Sequence, residues 1–555
     1  MRILIFILLC SLSAQAQVKG DYITLSGINT IAGSIEITTN APTFKSASVG
    51  KTVIVYGAGP LGDELVTKVI QYVNSTKVKI ETAAACSMLN ADGGIGCDNA
   101  GYFQSICAAN KTLTLSYGCY LFTSTVVLNH VDNLSIEGKN GACVVLISSS
   151  PNSYAPSIEP VRDWIRATNC DGITIKGLRF KNVGQTQARP GGENGYYEQL
   201  NGVAVAYNRR YNSRANTGSA IALYDCQNTE IERVQTDKVG CLVKTSGLAC
   251  SGLAVSNCRV KGYALTGVFP CNNSVISGNA FDNTEAPPIG GDDLNMKGTS
   301  HAIYITTGFS NILIENNTIT ACREFAFQIN SGQTTAQTIQ LTGNVFSDCF
   351  GSAFLTGASE NMRVIVSANI FNRCGGFAID APGANIDLTN CTFSGMYQPN
   401  VGYNSGVTVI RCTSINAVGC SFSGFNRFFS SGAFTVLPVS QTAGNINITA
   451  CEFFNCSNAV NTMLGHQYFA GQCNVLACVF TNARIAFGYQ DGSGTSPAGS
   501  CKKFVFTSCV FKGNETAFCK YGVALIQPTF IGDPTIQQAL LPGADSVKII
   551  NQTIL

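Results

Sequence analysis

The sequence predicts an all-β solenoid, a parallel β-helix, and three observations carry that expectation. A short phrase recurs along the chain: alternating aliphatic residues, a small or polar step, Asn or Cys, any residue, then Phe or an aliphatic. Its spacing is that of a solenoid repeat. No copy leaves room for a long amphipathic helix. The phrase reads IQLTGNVF at 339–346, VIVSANIF at 364–371 and INITACEF at 446–453. Aligned copies give one column, Cys258, Asn279, Asn317, Asn344, Asn369, Cys391, Cys420, Cys451, Cys478 and Cys509, at intervals of 21 to 38 residues. Two places further on runs a second column: Val260, Phe281, Ile319, Phe346, Phe371, Phe393, Phe422, Phe453, Phe480 and Phe511.

Each copy alternates like a strand and ends in turn residues, so each reads as part of one coil. Coils stack about 4.8 Å apart, so about twelve or thirteen would make a rod roughly 60 Å long. Equivalent residues then lie above one another. Inward Phe rings are expected to stack along the axis. Inward Asn side chains are expected to form a ladder that satisfies their buried amides. Asn also suits the turn itself, because it tolerates left-handed backbone angles.

Composition agrees. The chain has 555 residues, and a solenoid grows by adding coils. Charged residues make up 12% of it, about half the usual share. A net charge of +2 excludes a basic nucleic-acid footprint and an acidic tail. Residues 1–16 read as a secretory signal, with Arg2 as the basic end and Ala14-Gln15-Ala16 as the cleavage site. This predicts a secreted or cell-surface protein, extracellular or periplasmic. Lipidation of Cys10 fits badly, because Leu8 and Leu9 are too large for that pocket. No later run is long and apolar enough to span a membrane.

There are 25 cysteines, 24 without Cys10. Many occupy repeat positions: the Cys column above, and Cys322, Cys349, Cys374 and Cys456 five places after it. Such residues behave as small buried hydrophobes. Stacked free thiols are therefore expected along the coils. Cys86 with Cys97, and Cys107 with Cys119, are the better disulfide candidates. The chain has three His and no Cys-x-x-Cys, which gives a zinc site little support.

Four regions follow. Residues 1–16 are the signal. Residues 17–85 form a small β-rich unit of three or four strands, in which Gly57-Ala58-Gly59 is a turn and not a dinucleotide fingerprint. Residues 86–519 form the β-helix. Its N-terminal cap is a helix started by Asp98 and Asn99 and running through Asn110, with Tyr102, Phe103, Ile106 and Cys107 near one face. Residues 520–555 leave the repeat and finish or cover the far end.

The stretch VGKTVIVYGAG at 49–59, the capping segment and the Asn–x–Phe coils together resemble the pectate-lyase-like right-handed parallel β-helix superfamily. The nearest flavour is its polysaccharide-degrading and phage-tailspike branch, and the resemblance covers most of 46–515. It implies right-handed winding. For activity it implies a lyase, a hydrolase or a non-catalytic spike. The family's capping motif, Gly-Asp-Gly-x-x-Asp-Asp-Thr-x-Ala-Ile, has only a degenerate counterpart in DGGIGCDNA at 92–100.

Candidate site residues follow from irregular spacing. Long insertions lie between Phe180 and Ile231 and between Phe281 and Ile312. Both begin after the Phe column, so both should leave at one edge, three coils or about 15 Å apart. The first holds Glu193, Tyr196, Tyr197, Glu198, Arg209 and Arg210. Aromatic faces stack on sugars and charged groups bond hydroxyls or a uronate. A loop packed by its own tyrosines would hold the same residues. The second holds Asp292 and Asp293 and leads to His301. GDDL at 291–294 resembles the Gly-Asp-Asp of polygalacturonase-type hydrolases, whose Asn-Thr-Asp and Gly-His-Gly are absent. A turn whose Asp side chains bond backbone N–H groups explains it as well. His301 is either an acid/base group or a turn histidine.

The coils between offer Asp237, Lys238, Lys244, Arg259, Lys261 and Tyr263, then Arg323 and Glu324. The catalytic candidates are Asp292, Asp293, His301 and Lys261. The substrate-binding candidates are Glu193, Tyr196, Tyr197, Glu198, Arg209, Arg210, Lys238, Arg259 and Arg323. A lyase needs a base and cations that neutralise the uronate, and a hydrolase needs two carboxylates. Both sets are present. No cofactor is called for, and no acidic cluster for calcium can be traced, which leaves calcium open. The expected function is binding and degradation of an acidic or complex glycan, by a lyase or a glycoside hydrolase. The alternative is a non-enzymatic adhesin or spike-like rod. The expected partner is a polysaccharide or cell-surface glycan, with no nucleic acid and no membrane span, bound by a monomer or a trimer.

Overall fold

The computed structural model describes residues 19–555 except 60–64, 140–142, 147–162, 183–218, 238, 264–265, 285–300, 306–308, 323–324, 331–336, 350, 357–361, 375–376, 381–382, 396–406, 426–433, 437–442, 457, 463–472, 483–484, 490–503, 514–522 and 532–547. The signal reading of residues 1–16 lies outside them.

The N-terminal unit is a closed antiparallel barrel of six strands, not three or four. Around the barrel they run Ile23–Thr30, Glu36–Thr39, Lys77–Ile80, Leu65–Asn74, Thr52–Val55 and Met88–Gly96. Alternating apolar residues fill it, among them Ile28, Ile37, Val53, Val69 and Val78. Met88–Gly96 closes the barrel against both Ile23–Thr30 and Thr52–Val55. Its glycines permit the close approach: a Cβ on Gly93 would stand 2.0 Å from the Ile54 carbonyl oxygen.

A short helix, Ala100–Ile106, follows. It is shorter than expected at its C-terminal end, and Asp98, not Asn99, accepts its first N–H, from Ala100 at 3.1 Å. The Asn99 amide instead bonds the Lys19 backbone at 2.7 and 3.0 Å. Phe103 packs on Phe122 at 5.2 Å and covers the open end of the first coil.

The rest is a right-handed parallel β-helix with three faces. Sheet 1 begins at Thr112–Leu115, sheet 2 at Cys119–Phe122 and sheet 3 at Val126–Asn129. Each coil visits them in that order. Among the described residues sheet 2 has sixteen strands, more than the twelve or thirteen coils counted from the phrase. Coils lacking the full phrase supply the excess at both ends. The described residues beyond 520 stay in the repeat and do not leave it: Val523–Ile526 and Lys548–Ile550 extend sheet 1, and Thr529–Ile531 and Thr553–Ile554 extend sheet 2.

The two columns are stacks. Phe346, Phe371, Phe393, Phe422, Phe453, Phe480 and Phe511 lie face to face at 4.6–5.1 Å with interplanar angles of 4–10°, and Phe530 continues them at 5.4 Å. The Asn column is a buried ladder. Asn344 Oδ1 accepts from the backbone N–H of Asn317 at 3.0 Å, and its Nδ2 donates to the Ile314 carbonyl at 2.9 Å. The Cys column repeats that pattern. Cys451 Sγ accepts from the Cys420 N–H at 3.4 Å and donates to the Ala417 carbonyl at 3.5 Å. The left-handed residue is not the column residue but the one before it: Asn257, Gly278, Asn316, Gly343, Ala368, Asn390, Gly419, Ala450, Ala477 and Ser508. This turn keeps the column side chain pointing inward, where a left-handed residue in the column itself would redirect it.

Cysteines line the other two corners as well. Cys170, Cys226, Cys250 and Cys271 stand between sheets 3 and 1, and Cys322, Cys349, Cys374 and Cys456 between sheets 2 and 3. All described cysteines are free, including both pairs expected as disulfides. Cys86 donates to the Gly59 carbonyl, Cys97 to Asp21, and Cys119 neighbours Cys143 on sheet 2 instead of Cys107. Reductant is therefore expected to leave the melting temperature unchanged, which a thermal scan with and without dithiothreitol checks. A lowered temperature would reveal a structural bridge.

The barrel rests on the outer face of sheet 2 over its first strands, where Tyr22 and Ile54 pack on Leu121 and Cys143. Among the described residues no helix is long and apolar enough to cross a membrane.

Candidate functional site

The two long insertions leave sheet 2 after Arg179–Asn182 and after Ala280–Asp282, on strands three coils apart in one ladder. They return to sheet 3 at Ser219 and at His301. Residues 147–162 likewise precede Asp163 at the same corner. The corner between sheets 2 and 3 is thus where chain is added to the scaffold, and added chain on a rigid scaffold tends to carry function.

The first positions of sheet 3 stack into a polar column: Asp163, Ser219, Cys241, Thr266 and His301. All are at most 3% exposed. They do not join the inner apolar core. That core takes the next residue of each strand instead, Trp164, Ala220, Leu242 and Ala302. The column meets residues three places on, which lie on the outer face. Asp163 binds Arg166 through Nε at 3.1 Å and Nη2 at 3.0 Å, and the His301 ring lies 4.8 Å from that of Tyr304.

Those outer residues form a strip. The register runs Val127, Arg166, Ala222, Lys244. Continuing the Val243–Val268–Ile303 register by one residue adds Phe269 and Tyr304, and Gln328 follows. Cations occupy one half and aromatics the other. Arg166 lies over the Tyr224 ring at 5.8 Å, and Phe269 and Tyr304 are 5.7 Å apart.

Burial raises the Asp163 pKa, against the pull of Arg166, the Ser219 N–H and Lys244. Burial also pushes the Cys241 thiol up to about 12. The Phe325 carbonyl, 2.9 Å from His301 Nδ1, can only accept, so that nitrogen carries the proton. This fixes the neutral tautomer with Nε2 as the basic nitrogen. Such a concentration of perturbed titratable groups marks candidate functional sites.

The expected site residues divide three ways. Glu193, Tyr196, Tyr197, Glu198, Arg209, Arg210, Lys238, Asp292, Asp293 and Arg323 lie outside the described residues. His301 lies in the polar column. Lys261 and Arg259 lie elsewhere, on the outer face of sheet 2, across the corner from His301. There the column Lys181, Asp237, Lys261, Asp282 alternates in sign, and Arg179 reaches Asp237 at 3.5 Å. Burial opposes ionisation of Asp282, but the Thr284 hydroxyl and N–H, with Lys261 and Arg259, hold its pKa below the usual value. This is the arrangement of an ion-pair ladder. Tyr263 turns inward at the corner and is fully buried.

Sequence reading missed Asp163, Arg166, Tyr224 and Phe269. Their signal was positional: each strand of sheet 3 starts a few residues after the Phe column or after an insertion. Among the described residues no three His, Cys, Asp or Glu side chains converge as a metal site would.

No family model matches the sequence, and no curated protein does. Solved structures do resemble it. The catalytic unit of a GH87 α-1,3-glucanase from Streptomyces thermodiastaticus aligns over 97% of each chain at 10% identity and a TM-score of 0.37. A Streptococcus pneumoniae surface adhesin aligns over 70% of this chain and 88% of its own at 15% identity and 0.37. The Dettilon tailspike protein aligns over 76% and 63% at 13% identity and 0.38. Those names describe the neighbours, and the fold assignment here rests on the ladders.

Proposed function

We propose that this is a secreted protein that binds and degrades a polysaccharide, an acidic or complex glycan held along the outer face of sheet 3. The observation that carries the reading is the strip where cations give way to aromatics, lying where the long insertions return to the scaffold. Aromatic faces suit sugar rings, and the cations suit hydroxyls and carboxylates. His301 is the acid/base candidate, with its proton held on Nδ1. Asp292 and Asp293 stand a few residues before it in the chain and are the candidates for carboxylate chemistry. Lys261 and Arg259 would act from across the corner, on a chain that extends beyond the strip. Secretion follows from the signal-like residues 1–16.

The test is a panel of neutral and acidic polysaccharides read two ways. Ultraviolet absorbance reports the unsaturated ends made by elimination, and a reducing-end assay reports hydrolysis. Cleavage of at least one polymer is expected, together with loss of most of that activity in His301→Ala with its fold intact. Binding without cleavage would leave an adhesin-like role. Neither binding nor cleavage on any polymer would overturn the reading.

A further inference from the structure

The two cations of the strip differ from the other charged residues of the corner. On sheet 2, the register places Lys261 between Asp237 and Asp282, and Arg179 is bound to Asp237. Lys181, Lys261 and Arg179 there each have a carboxylate beside them, while Arg259 faces Gln235 and Ala280 in register and pulls on Asp282 from the neighbouring strand. On sheet 3, Lys244 lies between Ala222 and Phe269, and among the described residues it makes no ion pair. Arg166 does have a carboxylate, but a buried one: Asp163 takes Nε and Nη2 from one side while Tyr224 lies under the guanidinium. That arrangement fixes the guanidinium in place before any ligand arrives, which lowers the ordering cost of binding.

Ala222 separates the pair. It stands between Arg166 and Lys244 in register, so the two cations are two coils apart, about 10 Å along the axis. Ala222 is itself fully buried, so the strip presents the two basic side chains on either side of it and no further charged group between them. One extended pyranose unit is about as long as one coil is tall. A glycan running along the strip would therefore present alternate sugars to Arg166 and Lys244, and its next sugars to Tyr304, whose ring packs on the buried Phe269.

We propose that Arg166 and Lys244, set apart by Ala222, form an anion-selective subsite that restricts the glycan to one bearing carboxylate or sulfate groups. This rests on the glycan-binding reading given above. Carboxylate and sulfate share the chemistry that two fixed cations recognise.

The test uses the full chain and three polymers: a polyuronate, a sulfated glycan and a neutral glucan, each followed by affinity electrophoresis. The wild type is expected to bind at least one anionic polymer more tightly than the neutral one. Lys244→Gln, which removes the charge and leaves Asp163 paired, is expected to weaken the anionic complex about tenfold. Lys244→Glu reverses the charge at the partly exposed end of the pair and should abolish the preference for anions. Circular dichroism checks that both variants fold. The polymer that responds, uronate or sulfated, identifies the anion. Equal binding of neutral and anionic polymers, or an unchanged anionic affinity in Lys244→Gln, overturns the subsite while glycan binding stands. Failure to bind any of the three polymers overturns both.

Discussion

Phe422→Ala is expected to destabilise the protein by about 3–5 kcal/mol. The ring is fully buried and lies between Phe393 at 4.8 Å and Phe453 at 5.0 Å, nearly parallel to both. Removing it takes away its own burial and also opens a gap between two rings that cannot close, because the coil spacing is fixed by backbone hydrogen bonds above and below. Phe422→Leu, which refills part of the gap, should cost less. Chemical denaturation followed by circular dichroism reads both. A loss under about 1 kcal/mol for the Ala variant would mean that the stack carries little of the stability.

Asn344→Ala should rival it. The change strips the Asn317 N–H of its acceptor and the Ile314 carbonyl of its donor, both inside the rod. At about 1–3 kcal/mol for each of these two buried groups left without a partner, the loss comes to roughly 2–6 kcal/mol. Asn344→Cys is expected to cost less than half as much, because Cys451 already makes the same two bonds further along the same column. Equal losses in the two variants would contradict the view that thiol and amide are interchangeable in this ladder. The comparison also bears on the cysteine content: a thiol that donates to a carbonyl and accepts from an N–H is already employed, and its neighbour is a hydrogen-bond partner and not a disulfide partner.

The coil, the Phe stack and the ladder were legible because one short phrase repeats them in phase. Each copy fixes which side chain points inward, and alternation does the rest. The edge carrying the insertions was legible for the same reason, since both begin at one phase of the repeat. The turn residue was misplaced by one. Ala368, Ala450, Ala477 and Ser508 take a left-handed backbone without resembling turn formers. Closure of the barrel was hidden in Met88–Gly96, whose MLNADGGIG shows no alternation because Gly93 and Gly96 approach neighbouring backbone and Gly94 lies against the Tyr22 ring.

The site was half legible. His301 was found from its place after an insertion. Lys261 was grouped with it because it lies on a coil between the two insertions, but Lys261 belongs to a strand of sheet 2 and His301 to one of sheet 3. Arg166 escaped because Ile165–Thr168 is a four-residue strand among polar residues and carries no copy of the phrase. Its place in the strip shows only when the parallel register sets it beside Ala222, with Lys244 one coil further on.

The most direct test of the account is a crystal structure of the protein with an acidic oligosaccharide bound, taken from whichever polymer the panel selects. The account predicts sugar rings along sheet 3, with charged groups at Arg166 and Lys244 and a ring face at Tyr304. Sugar bound only over Arg259 and Lys261 on sheet 2, or on the N-terminal barrel, would contradict it.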